Sequence, residues 1–555
     1  MSRRLRVVPA EHQPPLPAQL IVREPLDPEA VPMDVVFVGG GPAGLAGAIE
    51  LSRLIKEDTE AGGTLAETQI AVIEKASGLG EHSLSGAVVN PRAFQELFPE
   101  LAISDFPFRG PVTGERVYFM MGGGRAQRIP APPTMQNHGN YIASLSEIVR
   151  WLGEKAEAMG VNIFTGFPVA SLVMEDDKVV GVRTTPTGVM RDGSQGSGYT
   201  APTDISARVT VLSEGTRGSL AQAWMQDYGV RSDNPQIFAL GVKEIWETKK
   251  PLDAIVHTLG WPLPNDAFGG SFMYPLTPNL VAIGIVVGMD YRQTTLDVHQ
   301  LLQKLKTAPL FREYLEAGEM VEWGAKTIPE GGYYALPKKR HGNGVLIVGD
   351  AAGFVEVASL KGVHYAMQSG MFAARAIFDA LKKDDVSENT MARYDALVNA
   401  SYITSDLKER RNMRLAFQKG GLYVGGIKAS LMTLTKGAFP GGRIQSHSDA
   451  EAERDVTAEE PFVPDGKLTF SKLDSNFKSG NATRDTIPSH LVVGSDIPPE
   501  VAELYVHMCP AGVYEVVDGK LVVNQANCVD CKATDVIGPR WTPREGESGP
   551  KYRLM

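Results

Sequence analysis

Asp34-Val35-Val36-Phe37-Val38 runs directly into Gly39-Gly40-Gly41-Pro42-Ala43-Gly44 and then into Leu45–Ile55: an apolar strand, a glycine turn and a helical stretch. This is the GxGxxG fingerprint in the strand–turn–helix setting it requires. Gly39 permits the turn, Gly41 lets a pyrophosphate approach the backbone, and Gly44 lets helix and strand pack closely. The phosphates then meet the positive end of the helix. A second strand, 69–73, ends in Glu74, whose carboxylate is placed to accept hydrogen bonds from the hydroxyls of an adenosine ribose. That acid usually follows after about 20 residues, and the polar insert Lys56–Thr68 accounts for the longer gap here.

Two later segments distinguish FAD from NAD. The strand 209–213 is followed by Glu214-Gly215-Thr216-Arg217-Gly218, and the strand 345–348 by Gly349-Asp350-Ala351-Ala352-Gly353. A strand ending in Gly-Asp, far from the first glycine loop, is the second fingerprint of FAD enzymes. Asp350 can bind the ribityl hydroxyls, and a helix N-terminus can face the pyrophosphate or the flavin. No second GxGxxG suited to a nicotinamide is present, which argues against NAD(P)H as electron donor.

Composition narrows the remaining choices. At about 150 residues per domain, 555 residues suggest three or four domains. With 43% hydrophobic and 22% charged residues the chain is an ordinary globular one, not collagen-like, coiled-coil or disordered. A formal charge of -10 argues against a general nucleic-acid binder, since phosphate binding needs a basic surface. No apolar run reaches 18 residues, and the longest, Leu280–Met289, suits a buried strand. The three cysteines, Cys509, Cys528 and Cys531, all fall in the last 50 residues. Such a cluster points to a metal or redox site in a reducing compartment, not to disulfides. Residues 1–33 hold basic and Pro-rich sequence without the apolar core of a secretory signal, and read as an extended arm.

From Arg410 to Ser448 there is no acidic residue. Arg410, Arg411, Arg414, Lys419, Lys428, Lys436 and Arg443 alternate there with apolar residues such as Phe417, Tyr423, Ile427, Leu431, Met432 and Leu434. Basic residues mixed with an apolar face describe an interfacial helix on anionic lipid. A second acid-free stretch, Arg116–Ser146, holds the apolar patch Val117–Met121 followed by Arg125 and Arg128. The alternatives are a core helix and a buried hairpin.

Longer motifs carry a resemblance. Gly80–Ala87 with Asn90-Pro91-Arg92, Asn137–Tyr141, His257–Leu263, Phe268–Phe272, Gly284–Tyr291, Lys361–His364, Cys509–Glu515, Asn527–Lys532 and Gly549–Tyr552 resemble the electron-transfer flavoprotein:ubiquinone oxidoreductase family. The similarity runs from about Met33 to Met555. The resemblance implies FAD, a 4Fe–4S cluster and ubiquinone, with electrons taken from reduced electron-transfer flavoprotein and passed to the membrane quinone pool. It implies a monotopic protein on the inner face of a bacterial cytoplasmic membrane, or on the mitochondrial inner membrane. It adds Ser85 and Gly86 to the FAD residues Gly39, Gly41, Gly44, Glu74, Gly215, Gly349, Asp350 and Gly353, and makes Gly269 and Gly270 the quinone contacts. Paired glycines let backbone amides approach a carbonyl oxygen, with Phe268 and Phe272 as apolar walls; a β-bulge is the plainer reading.

The chain departs from that family at the cluster. The family uses four thiolates, one in the CPAGVYE segment and three in a CxxCxxC run. Here Cys509, Cys528 and Cys531 are present, and Thr534 stands at the fourth position. Four thiolates are the usual requirement for a cubane. The open outcomes are a cubane completed by water, Asp530 or Asp535, a three-iron cluster, an empty structural site, or zinc with His507 or an Asp as fourth ligand.

The fold class expected is α/β plus α+β. A Rossmann-like FAD domain of the glutathione-reductase type (33–105, 145–234 and 330–400) is interleaved with a quinone-binding domain (106–144 and 235–329). A helical membrane-associated segment (401–449) and a ferredoxin-like iron–sulfur domain (450–555) follow. Two other functions fit less of the sequence: an FAD-dependent reductase or monooxygenase of a lipid or isoprenoid, and a redox-inactive docking protein.

Overall fold

Val35–Val38 is buried at every residue, as a central parallel strand between two helical layers must be. In the computed structural model, which describes residues 5–458, 460 and 462–555, it lies inside a six-stranded sheet. The order is Asn162–Thr165, Ile70–Glu74, Val35–Val38, Val209–Leu212, Val345–Ile347, His341–Gly342. Every pairing is parallel except the last, a short antiparallel partner at the edge. The helices Pro42–Glu60 and Val363–Lys382 pack on each other backbone to backbone. A Cβ on Gly370 would lie 2.0 Å from the Ala43 carbonyl oxygen, and one on Gly47 would lie 3.0 Å from the Gly370 oxygen. That closeness fixes where the glycine-turn helix begins.

A second, seven-stranded sheet runs Glu319–Pro329, Phe238–Glu247, Leu280–Gly288, Gly269–Thr277, Ile255–Gly260, Glu115–Met121, Arg125–Ile129. It is antiparallel apart from the 255–260/115–121 pair. Leu280–Gly288 is a buried strand, as its apolar run predicts. The register with 269–277 is continuous from Gly269 to Pro275 and shifts only between Pro275 and Thr277, so Gly269 and Gly270 do not form a bulge.

The N-terminal arm is not free. Ile21–Val22 and Val31–Pro32 join a five-stranded sheet with 169–175, 178–184 and 204–206, and Arg6–Val7 pairs with Arg454–Asp455. An extended arm packed on a protein must satisfy its backbone, and strand edges offer the partners. The last residues are tied in as well. The Arg553 and Leu554 amides donate to Glu322 at 2.7 and 2.9 Å. The Met555 carbonyl accepts from Ser144 Oγ at 3.0 Å and the Ser146 amide at 3.1 Å. The C-terminal residues therefore bridge the seven-stranded sheet and the N-terminus of the helix Leu145–Ala158.

The basic, acid-free segment forms the helix Met413–Leu434, broken at Gly421, whose φ of +58 only glycine adopts readily. Two expectations for it are corrected. Arg414 is buried, donating from Nε to Glu330 at 2.7 Å and from a terminal nitrogen to Asp290 at 2.9 Å. Met432 is buried too, at 2% exposure. A buried arginine keeps its charge only where carboxylates meet it, and Asp290 and Glu330 do so here. No helix among the described residues is long and apolar enough to cross a membrane.

Candidate functional site

At the carboxyl ends of the parallel strands a cleft of about 320 Å³ opens between the two large sheets. Gly39 enters it at φ +113, and a Cβ there would sit 2.5 Å from the Ser213 carbonyl oxygen. A Cβ on Gly44 would sit 2.3 Å from the Gly39 oxygen, so Gly44 serves packing and does not line the cleft. Gly41 is different: it caps the helix Pro42–Glu60, and a Cβ there would meet nothing within 4 Å. The glycine keeps open the space in front of a helix N-terminus, where a pyrophosphate fits.

Of the other expected residues, Glu74, Ser85, Gly86, Gly215, Gly349 and Asp350 line the cleft. Glu74 accepts from the Gly40 and Ala76 amides, both at 2.9 Å, which fixes its carboxylate beside the glycine loop. Burial raises the Asp350 carboxyl to about 6. Gly353 instead closes the turn behind Asp350 at φ +84 and lies outside the cleft wall.

Several cleft residues escaped the sequence reading. Lys243 and Lys326 reach in from the seven-stranded sheet, Lys75 follows Glu74, and Lys361 precedes the helix Val363–Lys382. Burial lowers the Lys243 amine to about 7 and the Lys326 and Lys361 amines to about 8. The Lys243 amine has no hydrogen-bond partner. An orphaned buried donor is costly unless a ligand meets it. A cleft with an open helix N-terminus, a fixed acid at the second strand and buried amines fits FAD. The one sequence signal for Lys243 is a Lys-Glu pair inside the buried strand Phe238–Glu247.

A polar chain leaves the cleft on the side of the hairpin 115–129. The Lys361 amine donates to Asn137 Oδ1 at 2.6 Å, and the Asn137 amide nitrogen Nδ2 donates to Glu115 at 2.7 Å. His257 Nε2 lies 3.7 Å from Glu115, and the Tyr274 hydroxyl is 3.2 and 3.3 Å from the two His257 ring nitrogens. Burial holds His257 down at about 4, hence neutral. Tyr274 stacks on Phe272, centroids 4.8 Å apart, and both line the cleft. Gly269 and Gly270 do not line it. They lie between Phe272 and Phe268, and Phe268 packs on Phe417 of the basic helix at 5.1 Å, with the Arg414 guanidinium 4.3 Å above its ring. A Cβ would meet the Val286 oxygen at 2.2 Å from Gly269 and the Thr258 oxygen at 2.8 Å from Gly270, so the sheet itself also requires these glycines.

The cysteine loop lies directly behind the cleft wall. The Thr327 amide donates to the Cys531 carbonyl at 2.9 Å, and Lys75 and Lys326 donate to Asp530, to its carboxylate at 2.6 Å and its carbonyl at 3.2 Å. All three cysteines are free and buried. Burial raises each thiol, Cys528 to about 12, and the Cys531 thiol is raised further by the charges of Cys509 and Cys528. The three cysteines belong to one buried core cluster. Thr534 adds no thiolate, so the donor set does not match a four-thiolate cubane.

Two family models match this chain: "ETF-QO, ubiquinone-binding" over residues 238–328 and "Electron transfer flavoprotein-ubiquinone oxidoreductase, 4Fe-4S" over residues 466–553. A mitochondrial protein of Oryza sativa subsp. japonica named electron transfer flavoprotein-ubiquinone oxidoreductase is 36% identical, over 95% of this chain and 94% of its own length. One of the same name from Pseudomonas aeruginosa is 37% identical over 96% of this chain and all of its own (100%). Among solved structures, a geranylgeranyl bacteriochlorophyll reductase-like protein from Thermoplasma acidophilum superposes with a TM-score of 0.54 at 17% identity. It covers 74% of this chain and 96% of its own, and shows a shared fold.

The glycine loop yields a paired prediction. Gly41→Val leaves the apoprotein's unfolding midpoint within experimental error but lowers bound flavin, read at 450 nm after gel filtration, at least about tenfold. Gly44→Val, whose Cβ meets backbone, lowers the apoprotein's stability by about 1–3 kcal/mol and its midpoint with it. Lys243 predicts a pH dependence. Below pH 7 its amine is charged in both states; between 7 and about 10 only the unfolded chain keeps that proton, so stability is regained as pH rises. Lys243→Met apoprotein is therefore more stable than wild type by about 3 kcal/mol below pH 7. That gap narrows toward pH 10 in urea titrations.

Proposed function

The chain belongs to the electron transfer flavoprotein-ubiquinone oxidoreductase family, and from that premise we propose how its own residues perform the reaction. It accepts electrons from reduced electron-transfer flavoprotein and passes them to ubiquinone. FAD, when bound, supplies the exchange of electrons between the donor and the quinone. The observation that carries this reading is the single cleft shared by the glycine loop of one sheet and the aromatic pair Phe272–Tyr274 of the other.

Gly39, Gly41 and Glu74 hold the adenosine diphosphate end, with Ser85, Gly86, Gly215, Gly349 and Asp350 along the rest of the cofactor. The buried amines of Lys243, Lys326 and Lys361 offset its negative charge and exclude competing cations. Quinone lies against Gly269 and Gly270, between Phe268 and Phe272, on the helix side of the sheet. Reducing it to quinol takes two protons as well as two electrons. Glu115, partly open to solvent at 16% side-chain exposure, can take a proton from water. Neutral His257 accepts it and hands it on through the Tyr274 hydroxyl. Burial keeps the Tyr274 hydroxyl protonated, so it gives its own proton toward the quinone and is refilled from His257.

The same arrangement supports attachment to a membrane surface. Tyr423, Ile427, Leu431 and Leu434 recur at helical spacing and are exposed, Leu434 at 80%. The Phe119 ring lies 6.4 Å from that of Tyr423, so the hairpin 115–129 and the helix present one apolar edge. Relatives named from bacteria and mitochondria support a quinone-containing bacterial cytoplasmic or mitochondrial inner membrane. Lys419, Lys428 and Lys436 lie on this segment and favour anionic lipid.

The flavin-loaded protein reduces a short-chain ubiquinone with reduced electron-transfer flavoprotein as donor, and NADH and NADPH do not replace it. Turnover with either nicotinamide and none with the flavoprotein would overturn the reading. His257→Ala keeps flavin reduction by the donor but slows quinol formation at least about tenfold. The pair Ile427→Glu and Leu434→Glu releases the protein from anionic vesicles in co-sedimentation and leaves flavin content unchanged. Wild-type binding to vesicles weakens with salt without vanishing, because apolar burial is not screened.

A further inference from the structure

We infer that the C-terminal cysteine centre of this chain holds a three-iron Fe3S4 cluster in place of a four-iron cubane. The inference rests on the family reading only for the ligand class, iron and sulfide. Everything else comes from Thr534 and its neighbours.

Thr534 sits in the short helix Ala533–Ile537, three residues after Cys531. Its hydroxyl is fully used. It lies 2.6 Å from the Tyr514 hydroxyl and donates to the Pro539 carbonyl at 3.1 Å. The proton goes to Pro539, so the Thr534 oxygen accepts from Tyr514. Both partners are buried. To ligate iron as an anion, Thr534 would have to become an alkoxide beside three thiolates and lose the proton it donates to Pro539. The corner that a fourth thiolate would hold is therefore closed by a neutral hydroxyl pair.

No neighbouring donor takes its place. Asp535 accepts from Arg217 Nε at 2.8 Å, from the Gln222 side chain at 3.2 Å and from the Trp541 amide at 3.3 Å. Asp530 accepts from Lys75 at 2.6 Å, Arg544 at 2.9 Å and the Trp541 indole at 3.0 Å. His507 lies 3.8 Å from both Asp297 and Glu503. His490 is buried with both ring nitrogens unpartnered. Its donor atom groups, within 4.8 Å, with those of Cys528 and Asp530. It approaches a corner that already has a thiolate. Three thiolates and three iron corners match; a fourth iron has no protein ligand.

The test uses the full chain with FAD, purified without oxygen. Iron and acid-labile sulfide are counted, and low-temperature EPR is recorded in the oxidised state. The expected result is about three irons to four sulfides with a paramagnetic oxidised cluster. Thr534→Cys raises iron by about one third and silences the oxidised signal. Tyr514→Phe, which frees the Thr534 oxygen without adding a thiolate, keeps three irons, and so does His490→Ala. Four irons per wild-type chain, or no iron at all, overturns the inference. So does a three-iron signal lost in His490→Ala, or a Thr534→Cys protein that folds, binds FAD and gains no iron. Quinone reduction by reduced electron-transfer flavoprotein, measured on the same preparation, separates this outcome from failure of the functional reading.

Discussion

One buried carboxylate joins the parts of this molecule that have to communicate. Asp530 is 1% exposed and lies between Cys528 and Cys531. Lys75 and Arg544 grip its carboxylate, while Lys326 holds its backbone carbonyl. Burial alone would push this carboxyl up; Arg544 and Lys75 hold it well below the ordinary range. A charge so placed is stable only with its partners intact, and losing one partner strands the others. Lys75 comes from the end of the second Rossmann strand and Lys326 from the seven-stranded sheet. One interaction thus pins the cysteine loop, the flavin cleft and the quinone-side sheet to a common point.

Four lysines converge on the cleft, beside the carboxylates of Glu74, Glu214, Glu330 and Asp350. The protein carries a formal charge of -10, yet Lys75, Lys243, Lys326 and Lys361 all face this one space. Burial raises the nearby Glu330 and Asp350 carboxyls, and Glu330 is paired with Arg414. Amines in a low-dielectric cleft act strongly on an anionic ligand that reaches them. The flavin pyrophosphate then has a physical reason to bind here beyond the glycine turn.

How far the sequence disclosed this depends on how local each constraint is. Gly39, Gly41 and Gly44 were readable because a tight turn and a helix N-terminus demand fixed residue types at fixed spacing. Gly349-Asp350 and the Cys528–Cys531 spacing were readable for the same reason. Lys243, His257 and Lys326 were not, since each reaches the cleft from a strand far along the chain, where only tertiary pairing decides its direction. Arg414 shows the opposite failure. An acid-free run suggested surface charge, but its carboxylates, Asp290 and Glu330, lie 124 and 84 residues away in sequence. Met432 failed similarly: helical periodicity placed apolar residues on a face, and only the packing shows which of them turn inward. The missing fourth cysteine was plain in the sequence, whereas the Tyr514 hydroxyl that closes its corner was visible only in three dimensions.

Electrons pass through the flavin of this cleft before they reach the quinone. Flavin-loaded protein on vesicles containing ubiquinone can be mixed with reduced electron-transfer flavoprotein in an anaerobic stopped-flow experiment. The flavin absorbance of the protein should bleach first and recover as ubiquinol appears. Ubiquinol formed with no change in that flavin, or a flavin that is reduced and never reoxidised by the quinone, would contradict it.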